Sequence, residues 1–438
     1  MKVIDMHCDT MKAILDNRDE NRYVNLKKNG FSVDIEKMKQ GDYMLQVFAA
    51  FTNMGEGDTL VNCLRTIDLF HDEIKANSQD IGIVLSYDDI LKNIEQNKMS
   101  ALLSIEEGAC CKGDLGILRN FYRLGVRMMT LTWNYENELG FPNEIINNKL
   151  VCDRGLKDRG FEFIEEMENL GIIIDVSHLS DAGFYDILNN TKKPFVASHS
   201  NARSICNHRR NMTDDMIKKL ADRGGVMGLN FYSNFLNENT KFSDLSKLDD
   251  MIKHLKHIKN IGGIEVIGLG SDFDGIDCKV EIENASKMQI LAEKIKKEGF
   301  TEDEVKGLCK QYDMDFESTK AWYNGYLIDG IHMYNPNSVS MAINNHDFDS
   351  YWKNTSSFAS INTFITMNYE GLKDDVMAML SGEKVYVNTD TFKNDFSTIA
   401  SKDDALTALI HLGYLGYDAD RKKAFVPNYE VATAFEAA

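Results

Sequence analysis

The sequence predicts an α/β protein, a (β/α)8 or TIM barrel with a metal site at the C-terminal ends of its strands, plus a smaller, mainly helical C-terminal region. Two observations carry this. Eight short apolar runs alternate with longer amphipathic stretches up to about residue 300, which implies parallel β-α units. Residues able to hold a metal ion sit at the C-terminal ends of those runs. In a closed barrel those ends meet on one face, whereas an open doubly wound sheet would scatter them over more than one crevice.

In chain order the strand candidates are Val3–Cys8, Tyr43–Phe51, Ala101–Glu106, Val126–Trp133, Gly171–His178, Phe195–His199, Gly225–Phe231 and Val266–Asp272. Amphipathic helix candidates between them include Thr59–Asn77, Gly155–Leu170, Asp214–Ala221 and Asp249–Asn260. His7 and Asp9 close the first run, VIDMHCD. On a strand, residues two apart share a face, so both can reach one ion while Cys8 faces away. Glu106 closes ALLSIEE. Glu107 is adjacent, and alternation lets only one of the two share the face of Ser104. His178 closes GIIIDVSH, His199 closes PFVASH and Asp272 closes VIGLGSDF. Imidazoles and carboxylates gathered at one end of a parallel sheet suit a borderline-soft cation such as zinc. A carboxylate between two cations would let them share one site, about 3.5–4 Å apart.

Composition bounds the rest. With 438 residues the chain exceeds one ordinary core, so a large domain and a smaller one are expected. A hydrophobic content of 43% with 27% charged residues is that of a globular protein. A net charge of -19 argues against nucleic acid and anionic membrane as partners. No apolar stretch approaches a membrane span, and the N-terminus enters VIDMHCD directly, so the expectation is a cytoplasmic protein. The eight cysteines show no CxxC pair, which points to packing thiols rather than a disulfide framework or a cysteine zinc site. A vicinal bridge between Cys110 and Cys111 is the lesser alternative.

The motifs DMHCDT (Asp5–Thr10), SIEEG (Ser104–Gly108), IDVSH (Ile174–His178), ASHSNAR (Ala197–Arg203) with HRRN (His208–Asn211), and GLGSDFDG (Gly268–Gly275) resemble the renal, or membrane, dipeptidase family of zinc-dependent (β/α)8 peptidases. They follow the family's order across residues 1–300. The resemblance implies two zinc ions, with His7 and Asp9 on one, His178 and His199 on the other, and Glu106 bridging. It also implies that Arg210 holds the free carboxylate of a dipeptide substrate and that Asp272 takes part in proton transfer. A planar, bidentate guanidinium suits the first role. On this reading a metal-bridging hydroxide attacks the peptide carbonyl. One departure stands out: where many members carry a histidine after the fourth strand, this chain reads LTWNYENE, with Trp133 at that position. Trp133 and Asn134 then become substrate-contacting candidates. Asn134, Tyr135 or Asn137 would have to supply any polar contact the histidine makes.

Residues 301–438 differ in texture, being richer in Asn, Tyr and Asp, and the boundary is placed within Gly299–Leu308. WYNGY (Trp322–Tyr326), YNPNSV (Tyr334–Val339), YWKNTSS (Tyr351–Ser357), LIHLGYLGYD (Leu409–Asp418) and VPNYEV (Val426–Val431) resemble the region downstream of the nucleotide core in bacterial AAA-ATPase-like proteins. The chain has no phosphate-binding loop of the GxxxxGK type followed by Ser or Thr, so no nucleotide is expected and the segment reads as accessory. A homo-oligomer is compatible with the sequence. Two other functions compete with the dipeptidase: a metal-dependent amidohydrolase such as an N-acyl amino acid deacylase, and a degenerate barrel serving as a scaffold. The deacylase is disfavoured by His7-x-Asp9 and a glutamate, where its barrel relatives carry His-x-His and a lysine carbamate.

Overall fold

The computed structural model describes residues 2–436 apart from 147–148, 241–243, 298–299, 302–305, 307, 311, 329–330, 335, 352–368, 370, 393–398, 412–413 and 419–420. Two compact units result, Met1–Ala292 and Glu293–Ala438.

The first unit is a closed parallel barrel. Its strands are β1 (Val3–Asp5), β2 (Tyr43–Phe51), β3 (Met99–Glu106), β4 (Val126–Thr130), β5 (Ile173–Asp175), β6 (Val196–Ala197), β7 (Val226–Leu229) and β8 (Ile267–Leu269). Each pairs with its sequence neighbours, and β8 pairs with β1 to close the ring. All eight strand candidates are therefore barrel strands. An additional strand, Ile81–Ile83, pairs with the start of β3; three residues are too few for a periodic signal. Every residue of β3 is buried, as a strand covered on both faces should be. The helix Thr59–Ala76 packs Cys63, Ile67, Phe70 and Ile74 inward, and the Asp58 carboxylate caps its first turn.

The ladders stop earlier than the apolar runs. β1 ends at Asp5, β5 at Asp175, β6 at Ala197 and β8 at Leu269, so His7, Asp9, His178, His199 and Asp272 lie on the loops just beyond. His7 and Asp9 therefore do not share a strand face, contrary to the expectation from the sequence: Asp9 is the residue before the helix Thr10–Asp19, not part of a strand. The cause is local. Asp5 and Asp175 turn their carboxylates onto backbone N–H groups that would otherwise extend the sheet. Ser271 N donates to Asp5 Oδ1 at 2.9 Å, and both Ser177 N and Ser198 N donate to Asp175 Oδ1 at 2.9 Å. His178 and Asp272 adopt left-handed backbone angles, φ 67° and 61°, that turn the chain out of the strand.

The second unit holds the helices Phe316–Tyr323, Pro336–Asn345, Leu372–Leu380, Lys402–His411 and Tyr429–Glu436. It also holds two small antiparallel sheets, one of Phe300–Thr301, Ile331–Tyr334 and Tyr326–Ile328, the other of Val385–Tyr386, Lys423–Phe425 and Gly416–Asp418. The mainly helical expectation missed these sheets because strands of two to four residues carry no readable alternation. Much of the expected boundary at 299–308, and residues 352–357 of YWKNTSS, lie outside the described residues.

Candidate metal centre and substrate cleft

Glu106, at the end of β3, offers one oxygen to each side of the barrel axis. Its Oε2 lies 3.3 Å from His7 Nε2, while its Oε1 lies 3.0 Å from His178 Nε2 and 3.6 Å from His199 Nε2. Asp9 Oδ2 is 3.4 Å from His7 Nε2 and Asp272 Oδ1 is 3.9 Å away. His178 Nε2 and His199 Nε2 are 3.0 Å apart. The six residues, from four loops and the end of β3, thus converge.

The donor set fits cations. Buried His7 Nδ1, His7 Nε2 and Asp9 Oδ1 have no hydrogen-bond partner, although carboxylate oxygens lie close. Buried polar atoms that converge without hydrogen-bond partners are what a metal ion satisfies. Two buried carboxylates, Asp9 and Glu106, with the partly buried Asp272 beside them, likewise demand positive charge. Burial alone would lower His7, but Glu106 and Asp9 hold it well above its usual value. Burial and nearby Arg210 push His178 down to about 4, while burial and His7 push His199 well below its usual value, so both are neutral and free to donate a lone pair. Burial opposes the Glu106 anion, yet the facing His7 and His178 hold its carboxyl well below the usual range. Burial, with Asp9 and Glu106 adding repulsion and His7 opposing, raises Asp272 to about 7.

Supporting contacts fix these side chains. Ser198 Oγ bridges His199 Nδ1 (2.7 Å) and Asp175 Oδ2 (2.5 Å), and Thr130 Oγ1 donates to the same Asp175 oxygen at 2.6 Å. Asn134 Oδ1 lies 3.2 Å from His178 Nδ1, which makes Asn134 an orienting group as well as a cleft residue. Asn230 Nδ2 donates to Asp272 Oδ2 at 2.8 Å and leaves Oδ1 toward His7. Asp274 accepts from Thr10 Oγ1 and Ser32 N at 2.5 and 2.7 Å and also borders the cleft.

The cleft above Glu106 has a volume of about 390 Å³ and is lined by Phe51, Trp133, Arg210, Tyr232 and Phe235 among others. Arg210 is 8% exposed, unlike a surface arginine. Its Nη2 donates to His199 O at 3.3 Å, its Nε has no partner, and its guanidinium lies 5.4 Å from the Phe235 ring centroid. Burial lowers it to about 10, still charged at neutral pH. Glu107, the residue that adjacency left undecided, faces away from the cluster around Glu106. It accepts from Ala109 N, Trp133 N and Asn137 Nδ2 at 2.8, 2.9 and 2.5 Å, tying down the loop that carries Trp133.

Residues 1–312 match the model of the membrane dipeptidase family, peptidase family M19. The chain belongs to that family. This dipeptidase is 32% identical over 346 residues to an uncharacterized dipeptidase of Schizosaccharomyces pombe, covering 75% of this chain and 81% of that one. In fold it resembles the dipeptidase AC, a metallopeptidase of family M19 (24% identity, TM-score 0.64, 68% of this chain and 93% of that chain). It resembles equally a Rhodobacter sphaeroides metallopeptidase solved with a phosphinate mimic of the dipeptide L-Ala-D-Ala (23% identity, TM-score 0.64, the same coverage). The dipeptidase match stops at residue 312 and gives no support to the ATPase-like resemblance of the tail.

Of the residues not singled out from the sequence, Asn230 and Phe51 sit at or within a residue of the ends of two apolar runs, so the rule that found the candidate ligands reaches them. Asp5 and Asp175 lie inside their runs, where an acid reads only as a core exception.

Proposed function

We propose that this dipeptidase works with two zinc ions, one held by His7 and Asp9, the other by His178 and His199, with Glu106 between them. The observation that carries the reading is the division of Glu106, one oxygen toward His7 and the other toward the His178–His199 pair. Zinc bound there would lower the pKa of a shared water toward neutrality and polarise the peptide carbonyl. The chain supplies the rest. Arg210, buried at the wall of the cleft with its Nε unpartnered, holds the substrate's terminal carboxylate. Asp272 Oδ1, the oxygen not taken by Asn230, accepts the proton released in the attack and passes it to the leaving amine. His178 and His199 stay neutral and Glu106 stays ionised. No helix among the described residues is long and apolar enough to cross a membrane. All eight cysteines are free, which supports action in the reducing cytoplasm.

Purified protein should carry about two equivalents of zinc. His178→Ala should lose close to one equivalent, read by elemental analysis, together with most of its dipeptide hydrolysis. A variant with its full metal content intact would sink the ligand assignment.

A further inference from the structure

The roles above leave one wall of the cleft unused. Phe51 ends β2 and Trp133 follows β4, whereas Arg210 follows β6 and Asp272 follows β8. In a ring of eight strands, β2 stands opposite β6 and β4 opposite β8. Phe51 therefore stands across the ring from the loop that carries the carboxylate reader, and Trp133, in contact with Phe51, stands across from Asp272. The Trp133 indole meets Phe51 edge-on at 5.0 Å between ring centroids, meets Tyr135 at 5.5 Å, and leans on His178 at 6.1 Å. Its backbone is pinned by Glu107, so the ring is a fixed surface beside the ions' site.

We propose that Phe51 and Trp133 form the pocket for the side chain of the substrate's N-terminal residue, and that they select an aromatic or large aliphatic side chain there. The inference rests on the dipeptidase reading. With the C-terminal carboxylate on Arg210 and the scissile carbonyl at Glu106, the N-terminal residue extends to the far side, onto the rings. Glycine or alanine in that position leaves both ring surfaces wet; phenylalanine or leucine covers them. A cleft of about 390 Å³ has room for a dipeptide with one large side chain.

The test compares kcat/KM of the zinc-loaded, full-length protein on Phe-Ala, Leu-Ala, Lys-Ala, Ala-Ala and Ala-Phe. Phe-Ala and Leu-Ala should exceed Ala-Ala by about tenfold or more. That ratio should persist in Trp133→Phe and fall toward one in Trp133→Ala, while the Ala-Phe to Ala-Ala ratio stays the same in all three proteins. A phosphinate mimic of Phe-Ala should also shift the tryptophan emission of the parent but not of Trp133→Phe, which keeps the proposal testable if Trp133→Ala does not fold. Preference for Lys-Ala, a ratio untouched by Trp133→Ala, or an emission shift retained in Trp133→Phe would each overturn it. Hydrolysis with a flat profile removes this inference alone; hydrolysis of no dipeptide removes the underlying reading with it.

Discussion

Glu106 and Glu107 are the same residue type side by side, yet one faces the candidate metal centre and the other anchors a loop. Glu106 is the last residue of β3 and keeps the inward face. Glu107 has φ 85°, which swings its carboxylate onto the N–H groups of Ala109 and Trp133. Composition and spacing cannot distinguish the two; only the turn after the strand does. Arg210 shows the reverse case, a residue whose type already limits its use. Its free Nε and planar fork match a carboxylate in a way that an ammonium cannot. Arg210→Lys should therefore raise KM for dipeptides about tenfold or more with a smaller effect on kcat, and dipeptides amidated at the C-terminus should be poor substrates of the parent. Equal steady-state turnover of amide and free acid would remove Arg210 from the site.

One hydrogen-bonded device recurs at the level of strands and loops. Asp5 takes the N–H and hydroxyl of Ser271 at 2.9 and 2.6 Å, and Asp175 takes the N–H and hydroxyl of Ser198 at 2.9 and 2.5 Å. In each pair the serine directly precedes a site residue, Asp272 or His199. Asp175→Asn would keep the shape but give a donor where Ser198 and Thr130 now point theirs, so His199 should lose its fixed orientation. Zinc affinity should drop about 10–100-fold, measured by competition with a chromogenic chelator, and an unchanged affinity would count against the device. The strands and their outward-pointing ends were legible in the sequence because a fully buried strand leaves a continuous apolar run. His7, Asp9, Glu106, His178, His199 and Asp272 were legible as polar residues closing those runs. The aspartate–serine pairs were not, since they join residues 266 and 23 positions apart, the first only when the ring closes and the second only when β5 and β6 pair. The small sheets after residue 300 were hidden by their brevity.

For the whole first unit, acid should be a weak point. His254, fully buried on the helix Leu248–Gly262, uses both ring nitrogens: Nδ1 accepts from Ala202 N at 3.1 Å and Nε2 lies 3.0 Å from Leu236 O. Burial lowers it to about 4 from an ordinary 6.5. Folding therefore prefers the neutral ring. Its contribution, about 3 kcal/mol, is fully present above pH ~6.5 and is lost as the pH falls toward 4. In chelator-treated protein the thermal midpoint should fall between pH 7 and 5, and His254→Gln should flatten that dependence; identical slopes would refute the assignment.

Closure of the ring also sets an order of events in time. His7 and Asp9 come from the first loop of the chain, Asp272 from the last loop of the barrel, and the clip from Asp5 to Ser271 sews the two ends together. During synthesis the earliest residues of the cage must wait, unpartnered, until more than half the chain has emerged. The metal-binding cage is therefore a late product of folding, completed by the most distant contacts in sequence that the barrel makes. A growing chain cannot bind its full set of ions before its fold is essentially closed.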